Sequence, residues 1–167
     1  MLFGNPDKFA FLIERVPEWE SDSFINGIMY VYLNGKMYPD TLRTTTLNTD
    51  LDFLFNSTMP NFQPKVNADL YRMSTADLFK KLCEITFPED YDIENDYSYQ
   101  VPLQEIEDSG YYFFVVAYKN NVRILVGKYF NEDIIFDDEN EINISEFENV
   151  RDKLFEYYEN EIKITKT

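Results

Sequence analysis

Residues 111–130 read YYFFVVAYKNNVRILVGKYF, two apolar, β-branched and aromatic runs on either side of Asn120-Asn121. Such runs favour extended backbone, and asparagine tolerates the positive φ that a tight hairpin turn requires. The stretch predicts a central strand, Tyr111–Tyr118, turning at Asn120-Asn121 into a second strand, Val122–Tyr129. Apolar side chains fall on both faces of Tyr111–Tyr118. A strand of that kind needs cover from both sides, by helices or by a second layer.

Working outward, Ile28–Leu33 and Lys36–Tyr38 flank Asn34-Gly35. Asn-Gly between apolar runs is the strongest short hairpin signal, because a type I′ turn needs two residues at positive φ. Phe9–Val16 also reads as a strand, and Ile134–Phe136 as a short further one. Thr46–Asn56 is helical by the spacing of Leu47, Leu51, Leu54 and Phe55, with Asp50 near its positive end. Met59–Ala68, with Pro60 and Pro64, reads as a loop. Ser74–Thr86 is a second helix, capped by Ser74 and buried through Leu78, Phe79, Leu82 and Cys83. A third helix opens with a Ser145/Glu148 capping box and presents Phe147, Val150, Leu154, Phe155, Tyr158 and Ile162 on one face. Hairpins with helices between them predict an α+β fold, a mainly antiparallel sheet with about three helices packed on it. The 167 residues carry no internal repeat and no Gly/Ser-rich linker, so residues 1–167 are expected to form one domain.

The net charge of −16 is unevenly spread. Residues 1–81 hold 8 Lys+Arg against 10 Asp+Glu, whereas residues 82–167 hold 7 against 21. No basic residue lies between Lys81 and Lys119, or between Lys128 and Arg151. Phosphate contacts need Lys and Arg, so direct nucleic-acid binding is disfavoured, and anionic membrane surfaces are disfavoured for the same reason. A single cysteine, no basic n-region with an apolar core at the N-terminus, and no apolar run near 20 residues point to the cytoplasm.

The chain has no histidine, which removes Ser-His-Asp and Cys-His machinery and the commonest general acid–base residue. Cys83, on the apolar stripe of a helix, reads as a small buried hydrophobe rather than a nucleophile. No phosphate-binding glycine loop occurs. Asp137-x-Glu139-x-Glu141 with Glu148 echoes a calcium loop but has Ile142 where the turn needs glycine, and Asp90-x-Asp92-x-Glu94-x-Asp96 lacks that glycine too. No cofactor, metal or catalytic residue is assigned on these grounds, and the chain is not expected to be an enzyme.

A binding surface is the reading that remains. FPEDYDIENDYSYQ, residues 87–100, holds five carboxylates and three tyrosines with no cation. Glu89, Asp90, Asp92, Glu94 and Asp96 are candidates to steer a basic partner, and Tyr91, Tyr97 and Tyr99 to anchor it, since aromatics carry most interface energy. The alternative is a solvated loop that keeps the protein soluble. Asp137, Asp138 and Glu139, within the acidic run Glu132–Glu141, are a second candidate set. Trp19, in VPEWESDSF, is either an interface anchor or a core or lid residue.

FGNPDKFAFLIERVPEW (Phe3–Trp19), NGIMYVYLNGKMYPD (Asn26–Asp40) and TTTLNTDLDFL (Thr44–Leu54) together resemble the bacterial Immunity protein 42 family of polymorphic-toxin and contact-dependent growth inhibition systems. The resemblance is carried by the first third, in the constellation Gly4-Asn5-Pro6, Trp19, Asn34-Gly35, Pro39 and Leu47. It implies a cytosolic, non-enzymatic protein that binds and neutralises the toxin C-terminal domain encoded beside it. None of the matching residues transfers as a contact. Joined to the charge pattern, it leads to the expectation of a basic partner, a nuclease whose Lys- and Arg-lined cleft the carboxylates would cover. An acidic DNA mimic that blocks several DNA-binding proteins, and a calcium-responsive module, are the alternatives.

Overall fold

The structure, a computed structural model, describes residues 1–163. It is α+β, with two antiparallel sheets and three substantial helices. The first sheet runs β1 (Leu2–Asn5), β2 (Phe9–Arg15), β3 (Asn26–Leu33), β4 (Lys36–Tyr38), with β5 (Thr45–Thr46) pairing the start of β3. Asn34 and Gly35 take the expected positive φ, 51° and 79°, and Leu33 pairs with Lys36 across them. The peptide bond Tyr38–Pro39 is cis.

The second sheet is β6 (Tyr111–Tyr118), β7 (Asn121–Phe130) and β8 (Asp133–Asn143). Its first turn falls one residue earlier than expected. Tyr118 pairs with Asn121, leaving Lys119-Asn120 as the loop, and Lys119 takes the positive φ of 53°. β8 is far longer than Ile134–Phe136, because an edge strand with a solvated face accepts acidic residues that local propensity counts against. Asp137 is the extra residue of a bulge opposite Val126 and Gly127.

Helix α1 (Leu47–Asn56) buries Leu47, Leu51, Leu54 and Phe55, and helix α5 (Ile144–Tyr157), extended by a π-helical turn Tyr158–Ile162, buries Phe147, Val150, Leu154, Tyr158 and Ile162. These helices and one face of each sheet enclose the main core, with Phe9, Phe11 and Ile13 from β2, Met29, Val31 and Leu33 from β3, and Phe113, Val115 and Ala117 from β6. The other face of β6 and β7, with Phe114, Val116 and Leu125, meets a second cluster. Leu70 of the short helix α2 (Ala68–Tyr71) and Leu78, Phe79 and Leu82 of α3 (Thr75–Thr86) complete it. Cover on both faces of Tyr111–Tyr118, required by its pattern, is what the structure has.

Two capping details differ from the sequence pattern. The N-cap of α5 is Asn143, whose side chain accepts from Ser145 N, with Glu146 returning the capping-box contact to the Asn143 backbone. The Ser145/Glu148 pair lies two residues too far along, because β8 runs straight into the helix. Asp50, in the first turn of α1, turns inward instead of serving its own helix. It accepts from Glu105 N at 3.4 Å and so caps the short helix α4 (Gln104–Glu107). Burial raises its carboxyl pKa to about 7.

Candidate partner-binding face

The acidic segment leaves the end of α3 and rejoins the sheet at β6. Its base is hydrogen-bonded at both ends. Phe87 N donates to Cys83 O at 2.7 Å, Asp96 N to Ile85 O at 3.0 Å, and Asn95 Nδ2 to Thr86 O at 2.8 Å. On return, Val115 N donates to Tyr99 O and Val101 N to Phe113 O, so the segment also covers the edge of β6. Asp96 belongs to this scaffold: it accepts from Ser98 N and faces Lys65, and those hydrogen bonds and that charge hold its carboxyl below the usual range. Tyr97 is exposed and packs edge-on against Phe87.

Tyr99 is not a surface residue. It is 3% exposed, lies in the second core cluster, and receives a hydrogen bond from Asn67 on its hydroxyl. A turn closed by Gln100 N donating to Tyr97 O lays Tyr99, Gln100 and Val101 against the edge of β6, a tertiary contact that its acidic neighbours in the sequence concealed. The tip is different. Glu89, Asp90, Asp92 and Glu94 are exposed, and none forms an ion pair among the described residues. Tyr91 stands fully exposed between them.

The candidates on β8 are engaged inside the molecule. Tyr38 donates to Asp137 Oδ2 at 2.5 Å, Lys36 lies 3.7 Å from Asp137 and 3.4 Å from Asp138, and Asn34 Nδ2 donates to Asp138 Oδ1. The bulge turns both carboxylates toward the β3–β4 hairpin, locking the two sheets together. Glu139 takes the Nε hydrogen of Arg123, a residue 7% exposed whose Nη1 donates to Tyr71 O and Met73 O and whose Nη2 donates to Thr75 Oγ1. Asp137, Glu139 and Glu141 lie along the extended strand β8 instead of ringing a loop. Among the described residues no group of three or more such side chains is arranged to hold a metal ion. Trp19, in a 3-10 turn, is 46% exposed.

A groove of about 1210 Å³ separates α3 and the acidic loop from the β7–β8 turn. Sequence reasoning missed it, since its two walls lie over forty positions apart. The apolar floor is built from Phe79, Phe87, Tyr112, Ile134 and Phe136, with Phe79 edge-on to Phe136 at 5.4 Å and Phe87 edge-on to Tyr112 at 5.5 Å. Gly127 makes that floor possible: a Cβ there would meet Phe79 Cζ at 2.5 Å and Ile134 Cγ2 at 2.7 Å. Glu89 and Asp90 stand on one wall, Glu132 and Asp133 on the other. Cys83 lies at the side, its thiol pushed up to about 12 by burial and by the charges of Asp133 and Glu84, so it stays protonated and unreactive.

The tip and the groove are thus acidic and aromatic surfaces. The family described as Immunity protein 42 matches residues 1–159. The chain belongs to the Immunity protein 42 family. Among solved structures, CdiI from Burkholderia dolosa AUO158 is similar over 93% of this chain and 99% of that one, with a TM-score of 0.76 and 28% identity. No curated protein sequence matches. Within this immunity protein, the resembling residues include the turn Asn34-Gly35 and the buried Leu47, whereas Trp19 is exposed. Among the described residues no helix is long and apolar enough to cross a membrane.

Proposed function

We propose that this protein neutralises a cognate toxin by binding the toxin's C-terminal domain, acting in the cytoplasm as a non-enzymatic inhibitor. The partner presents a basic face, and the nuclease class fits best, because a cleft that binds phosphates is lined with Lys and Arg. One observation carries the reading. Glu89, Asp90, Asp92 and Glu94 surround the exposed Tyr91 without a cation of their own among the described residues, while Asp96, Asp137, Asp138 and Glu139 are engaged internally. Unpaired like charges repel one another, and a cationic face relieves that cost. Tyr91 and Tyr97 supply the rigid apolar area from which interfaces draw most of their energy. Long-range attraction raises association above the unsteered rate of about 10⁵–10⁶ M⁻¹s⁻¹.

The test is to express the C-terminal domain encoded immediately upstream, alone and together with this protein, and to follow growth. Arrest that co-expression relieves supports the proposal. Arrest that the protein leaves untouched overturns it, and capture of several unrelated basic proteins would replace it with the DNA-mimic reading.

A further inference from the structure

We infer that the groove between α3 and the β7–β8 turn is the anchoring pocket of this interface, and that it receives a protruding toxin segment in which a large apolar side chain is flanked by Lys or Arg. The inference rests on the proposed function and extends it to residues outside the acidic loop. Ile93, Tyr129 and Phe136, all lining the groove, are each 40% exposed or more. Large apolar side chains scattered singly are ordinary on a surface, but a contiguous apolar patch rimmed by polar groups marks an interaction site. At about 1210 Å³ the groove exceeds the roughly 300–1,000 Å³ of a small-molecule pocket, which suits a length of polypeptide.

The walls decide the chemistry of the occupant. Glu89 and Asp90 face the groove from the loop, Glu132 and Asp133 from the turn, and none is paired with a cation among the described residues. Lys80 and Lys81, on the α3 side, are both directed to Glu84. Two acidic walls over an apolar floor repel each other, and a cation between them is attracted more strongly than at an open surface, because the floor lowers the local dielectric. An apolar side chain flanked by basic ones meets floor and walls together. An acidic or purely polar segment meets neither.

Binding kinetics of the purified one-to-one complex with the toxin domain test this. Ile93→Ser and Tyr129→Ser remove exposed apolar area without altering charge, and should raise the dissociation rate about tenfold each while leaving association nearly unchanged. Glu132→Lys should lower the association rate and flatten its salt dependence. Thermal melting of each variant shows that the fold is kept. Wild-type dissociation for both serine variants, with association still sensitive to the loop carboxylates, overturns the groove and leaves the proposed function standing. A toxin domain that forms no complex with the wild-type protein overturns both.

Discussion

Arg123 donates from Nε to Glu139, and from a second nitrogen to the carbonyls of Tyr71 and Met73, so one guanidinium ties β7, β8 and the approach to α3 together. Removing the cation leaves a nearly buried carboxylate and two carbonyls without partners. Arg123→Met should cost about 3–5 kcal/mol in denaturant unfolding, the range for breaking a buried ion pair. Glu139→Gln keeps an acceptor and should cost less, about 1–3 kcal/mol. A loss below about 1 kcal/mol for Arg123→Met would contradict this role.

Stability should rise as pH falls from about 7 toward about 4. Asp50 and Glu107 have folded-state values raised to about 7, chiefly by burial, against ordinary carboxyl values of about 4. Between those limits the folded state holds more protons than the unfolded one, so raising the pH lowers stability. Glu20, Asp40, Asp96 and Glu146 are shifted the other way by hydrogen bonds and cations. Their contribution is present above their ordinary values and is lost below about 4. Melting temperatures across this range should show the maximum on the acid side, and Asp50→Asn should flatten the slope between about pH 4 and 7, the limits set by its ordinary and raised values. Equal, flat profiles for both proteins would exclude the effect.

Gly127→Ala places a methyl group where Phe79 and Ile134 already sit. The ring must swing out of the groove floor, at a cost of about 1–3 kcal/mol for overpacking. Melting should show the loss, and toxin binding should weaken by more than stability alone explains, because the floor itself has moved. Binding unchanged at a temperature where the variant is fully folded would separate Phe79 from the interface.

Glu89→Lys, Asp92→Lys and Glu94→Lys together remove no internal ion pair formed among the described residues. The melting temperature should hold or rise slightly, since self-repulsion falls. The association rate with the toxin domain at low salt should drop by at least about tenfold, and dissociation should change less. An association rate indifferent to both salt and these substitutions would refute steering.

Both tight hairpins, the helices carrying Leu47, Leu78 and Phe147, and the two-sided burial of Tyr111–Tyr118 were legible in the sequence. Each is written in local periodicity or turn chemistry. The start of α5 was misplaced because Asn143 is both the last residue of β8 and the cap, and Ser145 imitates a cap two positions later. The acidic residues were the harder problem. Carboxylates at Glu89 and Glu139 look alike in a sequence, and only tertiary distance shows that one is unpaired and the other closed against Arg123. Tyr99 was misread for the same reason. The groove could not be read at all, because Glu89 and Glu132 are brought opposite each other only by the packing of α3 on the sheet.

Among the described residues the hydrogen bonds that tie the acidic loop to the rest of the molecule lie at its base: Phe87, Asn95 and Asp96 donate to α3, Val101 donates to β6, and Tyr99 and Ser98 accept from Val115, Asn67 and Lys65. Among the described residues the tip from Glu89 to Glu94 is hydrogen-bonded only within its own local turn at Asp90. On the proposed reading, recognition is written in a short stretch of codons that folding barely constrains. A lineage can exchange one toxin for another by rewriting that stretch, and the inherited scaffold survives each change of opponent.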